Sequence, residues 1–564
     1  MSRGPRPTPS TGAVAAADAK LDALIQGRFD ALMATWPSRA TYLGIHAYDD
    51  RLADLSRSTV EADVAAEARF ISELEASDPS LLSGRRRFER ELALHGARLR
   101  HFEADVIRGW QRRASASHEI GDALFLLLVR DFAPLEERLA SLTRRLEAVP
   151  EALLQVRDRL GAEPVRLWNE LEMVAARELP TLVDEIVGVG REHLPAGAPG
   201  LARLERAAQA TCQALLDYEA WIGSTLDAAT GDAPLGGEAM ERLIELRALE
   251  GLDGDAILAI GHEQLEAMHR ARREAGRAID PALSESVVVD RVKAEGPSDF
   301  GTALSAYREA MLRARRFIAD RDLATLPDGD SIEVLATPRH MRSLVPLAAY
   351  FEPAVFDRPI RGIYIVTPSV DGDPRAMREH NWASIVNTSV HEAYPGHHHQ
   401  FAAALSSPTP ARLLTDAPEF HEGWAMYCEQ MMLEEGFEDT AARRVIVATD
   451  AIWRACRIIL DIRLHRGEIG VDEAVDFLVE HTGFERPVGR AEVNRYTQTP
   501  GYNLSYLLGK MLLQRLRADQ QASLGADFSL KGFHDALLYS GNLPISFQRR
   551  LLAGEGGGPT RPGA

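Results

Sequence analysis

The stretch His391-Glu392-Ala393-Tyr394-Pro395-Gly396-His397-His398-His399 holds a His-Glu pair and three consecutive histidines. A second cluster, Glu419-Phe420-His421-Glu422-Gly423-Trp424-Ala425, follows and ends near Tyr427 and Glu429. Catalytic zinc commonly takes two imidazoles and one carboxylate and keeps a fourth position for water, so the two clusters together can furnish a zinc site. In an ordinary helical motif the two histidines stand four apart, about 40° around the helix, with a glutamate beside the first. Here position 395 is proline, and His397, six residues after His391, would face about 120° away on a regular helix. His398, at seven, returns to the face but lies about 10 Å further along.

Pro395 lacks an amide donor and Gly396 tolerates unusual dihedrals, so a bulge is expected there. Looping out two residues puts His397 in the slot four after His391. The expected ligands are therefore His391, His397 and Glu422, with His398 as the alternative second imidazole and His399 as a supporting or surface residue. Glu392 then faces the metal as general base toward water. Glu419 and Glu429 lie on roughly the same helix face as Glu422 and are supporting partners or rival ligands. Tyr502 and Tyr506, after Pro500-Gly501, would share a helix face and either steady an oxyanion or form a core pair. Arg495 can hold a substrate carboxylate or a structural partner. His262-Glu263 and His269 read as a solvated helix face, and Cys428 as a structural thiol.

The elements that must position these groups are mainly helical. Apolar residues recur at three- and four-residue spacing over 21–34, 60–74, 85–108, 134–159, 164–189, 201–221, 255–278 and 300–321. The segments 333–338, 348–351 and 362–368 are short, β-branched or aromatic, and bounded by Pro and Gly, which predicts a small sheet just before the His391 helix. An exposed edge of that sheet could hold an extended peptide. Residues 1–18 read as a disordered leader and 554–564 as a disordered tail. Between them, 19–553 read as one large catalytic domain, helical over 19–325 and carrying the sheet and metal site over 326–553.

The 564 residues suffice for a large core without disulfides, and the three cysteines are far apart and odd in number, which predicts a reducing, cytoplasmic setting. A net charge of −19 argues against nucleic acid as a partner, and the apolar runs are too short for a membrane span.

These strings resemble the bacterial domain-of-unknown-function family 885, whose members look like gluzincin-type metallopeptidases. The resemblance covers nearly the whole chain and rests on Pro37-Ser-Arg-Ala-Thr-Tyr-Leu-Gly44, Leu235-Gly-Gly-Glu-Ala-Met240, Thr337-Pro-Arg-His-Met-Arg342, His391-Glu-Ala-Tyr-Pro-Gly-His-His398, Glu422-Gly-Trp-Ala425, Arg495-Tyr496, Pro500-Gly-Tyr502, Ser505-Tyr506 and Phe533-His-Asp-Ala-Leu-Leu538. Glu422-Gly-Trp-Ala is similar to the zinc-binding Glu-Gly-Phe-Ala of aminopeptidase-type zincins, and the Tyr502/Tyr506 segment looks like the tyrosine-rich helix of thimet-oligopeptidase-like enzymes. The resemblance implies a large helical zincin-like fold with a deep cleft, a Zn2+ cofactor, and hydrolysis of peptide or peptide-like amide bonds in short substrates. Two other readings fit the same residues: a metal-dependent hydrolase or lyase for a small non-peptide amide or ester, and a helical scaffold that binds metal incidentally.

Overall fold

A computed structural model describes residues 10–338, 341–342, 345, 347–368 and 376–560. Arg339 and His340 of the Thr337–Arg342 string lie outside the described residues, as do 1–9 and 561–564. The protein is mainly α with one small mixed sheet.

Where the apolar period predicts helix, helices form: Thr11–Thr35, Arg57–Ala76, Gly84–Phe102, Leu135–Arg159, Pro199–Thr225, Gly254–Ile279 and Phe300–Asp320. Side chains of Ser10, Ser56, Ser83, Asp253 and Asp299 cap five of them by accepting from the amide three residues on. The first cap corrects the expected leader. Ser10 and the alanine-rich run after it start a helix at Thr11, so 11–18 are helical. The span expected as one helix over 164–189 is two, Arg166–Glu178 and Pro180–His193, because Pro180 has no amide to continue the ladder. The 85–108 span ends in a π-turn, Glu103–Ile107, closed by Arg108 at φ 51°. The expected tail is ordered through 560. Gly556, at φ 64°, lies where an added Cβ would meet Phe88 Cγ at 2.9 Å, and Thr560 N donates to Ser540 Oγ at 3.0 Å.

Strands β1 (Ser331–Ala336), β2 (Ala348–Phe351) and β3 (Arg361–Val366) order β1-β3-β2, with β1 parallel and β2 antiparallel to β3. The central strand buries Ile363, Tyr364, Ile365 and Val366 in succession, as a strand covered on both faces must. β2 is an edge, and its Tyr350 reaches the helix that carries the histidines.

The largest apolar core draws mostly on the second half of the chain, packing Tyr307, Trp424, Ile459 and Leu508 with Phe102, Leu243 and Ile257. A second, among the helices of 117–225, holds Leu124, Leu146, Leu182 and Ile222. A third ties the chain's ends together, since Leu21, Leu74 and Leu92 pack with Leu414, Leu543 and Leu551. Each such leucine, withdrawn from water, contributes about 1.5–3 kcal/mol. Among the described residues no helix is long and apolar enough to cross a membrane.

Candidate metal centre

The helix Trp382–Glu392, capped by Asn381 accepting from Ser384 N at 2.9 Å, carries His391 and stops at Ala393 (φ −113°, ψ −90°). It resumes as His397–Ala404. Across the break Gly396 N donates to Val390 O at 3.0 Å and His399 N to Ala393 O at 3.2 Å. Both bonds reach back six residues in place of four, so the chain carries a two-residue bulge in an otherwise continuing helical path. Trp424 Nε1 donates to Pro395 O at 2.8 Å and pins the bulge to the helix Pro418–Glu434. That helix in turn packs backbone to backbone on Leu507–Leu524: a Cβ at Gly509 would lie 2.0 Å from Glu419 O, and one at Gly423 would lie 2.5 Å from Gly509 C.

The result brings His391, His397 and Glu422 together, their ligand atoms within 4.8 Å of one another. His391 Nε2 and His397 Nε2 lie 3.7 and 3.4 Å from Glu422 Oε2, and the rings meet nearly perpendicular. The edge of a tetrahedron with zinc-ligand bonds of 2.0–2.1 Å is about 3.4 Å, so the donor set fits zinc. Its electrostatics fit as well. Burial opposes a charged His391, but Glu422 and Glu429 outweigh it and raise the imidazole to about 10. A place that holds a proton so firmly favours positive charge. Glu422 is held well below the usual carboxylate range, its burial outweighed by the two imidazoles.

Behind the first ligand, His391 Nδ1 donates to Glu429 Oε1 at 2.7 Å, and Asn387 Nδ2 donates to Glu429 Oε2 at 3.0 Å. This arrangement fixes a proton on Nδ1, so the proton that a bound metal ion would displace is the one on Nε2. Glu429 is thus a support and not a rival ligand. His397 Nδ1 has no partner among the described residues. Glu392 is half-buried and accepts no hydrogen bond from another described residue. Burial and the charge of Glu422 raise its pKa, against His391, His397 and Arg454.

Tyr502 OH donates to Glu422 Oε1 at 2.9 Å, and Tyr506 OH to Tyr502 OH at 3.4 Å. They do not share an α-helical face as the spacing predicts. Gly501, at φ 78°, starts a single 3-10 turn, Tyr502–Leu504, and the α-helix begins only at Leu507. The rings meet edge to face at 5.9 Å.

The remaining candidates point elsewhere. His398 is fully buried, with Nδ1 against Tyr350 OH (2.9 Å) and Nε2 against Asp330 (3.1 Å), which removes it as an alternative ligand. His399 is buried against Thr325 O at 2.8 Å and is not at the surface, and burial drives it down to about 4. Glu419 pairs with Arg247 at 3.2 Å. Arg495 pairs with Glu492 at 2.8 Å. His262 and Glu263 are exposed as expected, but His269 is half-buried, 3.3 Å from His481 and 3.5 Å from Glu285. Cys428 is buried and free.

Sequence reasoning missed Asn387 and the residues of the adjoining cavity. Asn387 sits four residues before His391, so helical spacing could have found it. A cavity of about 530 Å3, within the range of small-ligand sites, is lined by Phe401, His421, Glu352, Asp416, Arg39 and Arg100 among others. It adjoins the His397 side, since Phe401 and His397 rings lie 6.1 Å apart. No sequence spacing links residues 39, 100, 352 and 416.

Two solved structures share this architecture. A protein provisionally described as a lipoprotein of unknown function from Shewanella oneidensis superposes with a TM-score of 0.76 at 19% identity, covering 94% of this chain and 99% of its own. Another from Colwellia psychrerythraea, provisionally described as a lipoprotein, gives 0.82 at 19% identity, covering 95% and 98%. No functionally curated protein matches the chain. The model of a family of bacterial proteins of unknown function, DUF885, matches residues 37–552, and the chain belongs to that family.

Proposed function

We propose that the protein is a zinc-dependent hydrolase of peptide or peptide-like amide bonds, on a zincin-like helical fold, acting on short substrates. The observation that carries this reading is the convergence of His391 Nε2, His397 Nε2 and Glu422 Oε2 beside an unengaged Glu392. Zinc held by those three groups would supply Lewis acidity to a substrate carbonyl and to water. The chain's own residues do the rest. Glu392, with its pKa raised by burial, accepts a proton from the attacking water and delivers it to the leaving amine. Glu429 holds His391 in one tautomer and orientation. Tyr502 and Tyr506, whose phenol protons go to Glu422 and to Tyr502, would turn one of them to the oxyanion that develops in amide hydrolysis.

The test pairs metal content with turnover. Elemental analysis should find one zinc per chain, lost in His391→Ala. Glu392→Gln should retain zinc and lose activity by about 10²- to 10⁴-fold on a mixed peptide library; full activity in that variant would refute the general base. The three free thiols support a reducing, cytoplasmic location, which cell fractionation checks against the envelope location of a lipoprotein.

A further inference from the structure

Two arginines, Arg454 and Arg457, lie over Tyr506, and Arg495 acts on it from nearby; of the three, Arg457 and Arg495 donate hydrogen bonds. Arg457 donates to Glu492 at 2.9 Å and to Tyr496 OH at 3.2 Å, with its guanidinium 4.7 Å from the Tyr506 ring. Arg495 donates to the same Glu492. Arg454, one helical turn before Arg457 on the helix Ala441–His465, donates no hydrogen bond to any described residue. Its Nε and Nη1 are buried and hydrogen-bond to no described residue, and its side chain is only 14% exposed. Asp450 Oδ1 makes only a loose ion pair with its Nη1 at 3.9 Å, without a hydrogen bond, while Asp450 Oδ2 accepts from Asn387. The guanidinium is stacked on Trp453 at 3.9 Å and lies 5.8 Å from the Tyr506 ring. A desolvated guanidinium without hydrogen bonds is costly, and the group that best completes it is a carboxylate.

Its position ties it to the chemistry. Contacts run from Arg454 to Tyr506, to Tyr502, to Glu422, and its charge acts on Glu392 and Glu429. On the His397 side, by contrast, the cavity sets Arg39, Arg100 and Arg412 beside Glu103, Glu352 and Asp416, so its cations are matched by carboxylates.

Building on the hydrolase reading, we propose that Arg454 anchors a free carboxylate of the substrate, so that the site selects short peptides with an unblocked C-terminus. Arg454 is then a specificity residue, and the role that spacing suggests for Arg495 passes to it.

The test uses one library of short peptides made twice, as free acids and as C-terminal carboxamides, on the zinc-loaded full chain. The free acids should be cleaved with kcat/KM roughly 10- to 100-fold above the carboxamides, the worth of a charge-assisted hydrogen bond. Arg454→Gln should abolish that ratio by raising KM for the acids while leaving the carboxamides unchanged, and Arg454→Lys should restore part of it. Arg39→Gln, which alters a cavity arginine that donates to Leu413 O, should leave the ratio intact. Equal cleavage of both series by the native protein overturns the inference and leaves the hydrolase reading standing, and loss of the ratio in Arg39→Gln overturns the assignment to Arg454. If neither series is cleaved, the hydrolase reading fails. Calorimetric binding of the same two series then decides the anchor: a preference for free acids that Arg454→Gln removes supports it, and equal binding overturns it.

Discussion

Gly396→Ala isolates the bulge from everything else in the centre. An added Cβ would sit 1.8 Å from His391 O and 2.4 Å from Val390 O, both backbone atoms of the helix that presents the first ligand. Reaching the 3.4 Å of ordinary contact requires the two segments to separate by about 1.6 Å. Metal-ligand distances tolerate only about 0.2 Å, so the displacement exceeds that tolerance several-fold and one imidazole leaves the ion. Second-layer changes at metal sites already cost about 10- to 100-fold in affinity. Losing a direct ligand should cost about 100-fold or more, which is about 2.7 kcal/mol or more. Competition titration against a chromophoric chelator measures this, with thermal unfolding of the metal-free protein reporting whether the fold survives. A Gly396→Ala protein that binds zinc within about threefold of the native affinity refutes the reasoning, because the bulge geometry would then be irrelevant to ligation.

Glu429→Gln should keep the fold and weaken zinc binding by about 10- to 100-fold in the same titration, since the His391 Nδ1 proton loses a charged acceptor; unchanged affinity would remove Glu429 from the centre. Tyr502→Phe should retain zinc and lower kcat by about 100-fold, the cost typical of one oxyanion donor, and a change confined to KM would contradict that role. Gly509→Ala should destabilise the protein by about 1–3 kcal/mol in denaturant unfolding, because its Cβ would meet Glu419 O at 2.0 Å. His46 sits between Asp49 and Asp357 at 2.8 Å each; burial lowers its pKa, but the two carboxylates prevail and raise it to about 9. The stability this lends is complete below about pH 6.5, the unfolded value, and disappears as pH rises through about 9. With the ring a third exposed, the share is about 1–2 kcal/mol after allowing for solvent screening. Urea unfolding at pH 6 and 9.5 should show that loss in the native protein and not in His46→Gln.

How much of this could be read from residues alone differs by element. Most helices with a clear apolar period stand where the period puts them, because burying one stripe dictates phase, but the period does not set length: Pro180 divides 164–189 in two and a π-turn ends the helix that starts at Gly84. The two-residue bulge was legible because Pro395 and Gly396 are the residues a helix cannot absorb, and because only a two-residue insertion aligns His391 with His397. Errors arose where a local signal was outweighed by something nearby. Residues 11–18 read as part of a disordered leader over 1–18, yet their alanines and the Ser10 cap extend the first helix. The Tyr502/Tyr506 pair meets as expected, but through a turn that the φ 78° of Gly501 permits.

Three adjacent histidines look equivalent in a string and are not equivalent on a helix, where successive side chains diverge by about 100°. His397 faces Glu422, His398 faces Asp330 and Tyr350, and His399 faces Thr325 O. Only the first can share an ion with His391, while the other two fasten the second helical segment to the residues before and within the sheet. This division explains why the bulge can hold its shape. A helix interrupted by proline and glycine would ordinarily swing freely, but here Trp424 grips Pro395 O from one side, and Asp330, Tyr350 and Thr325 grip the histidines from the other. The neighbours of His397 therefore keep its imidazole within reach of Glu422, 3.4 Å from Oε2. From this it follows that His398→Ala, which removes no ligand, should weaken zinc binding only by loosening His397, and less than Gly396→Ala does.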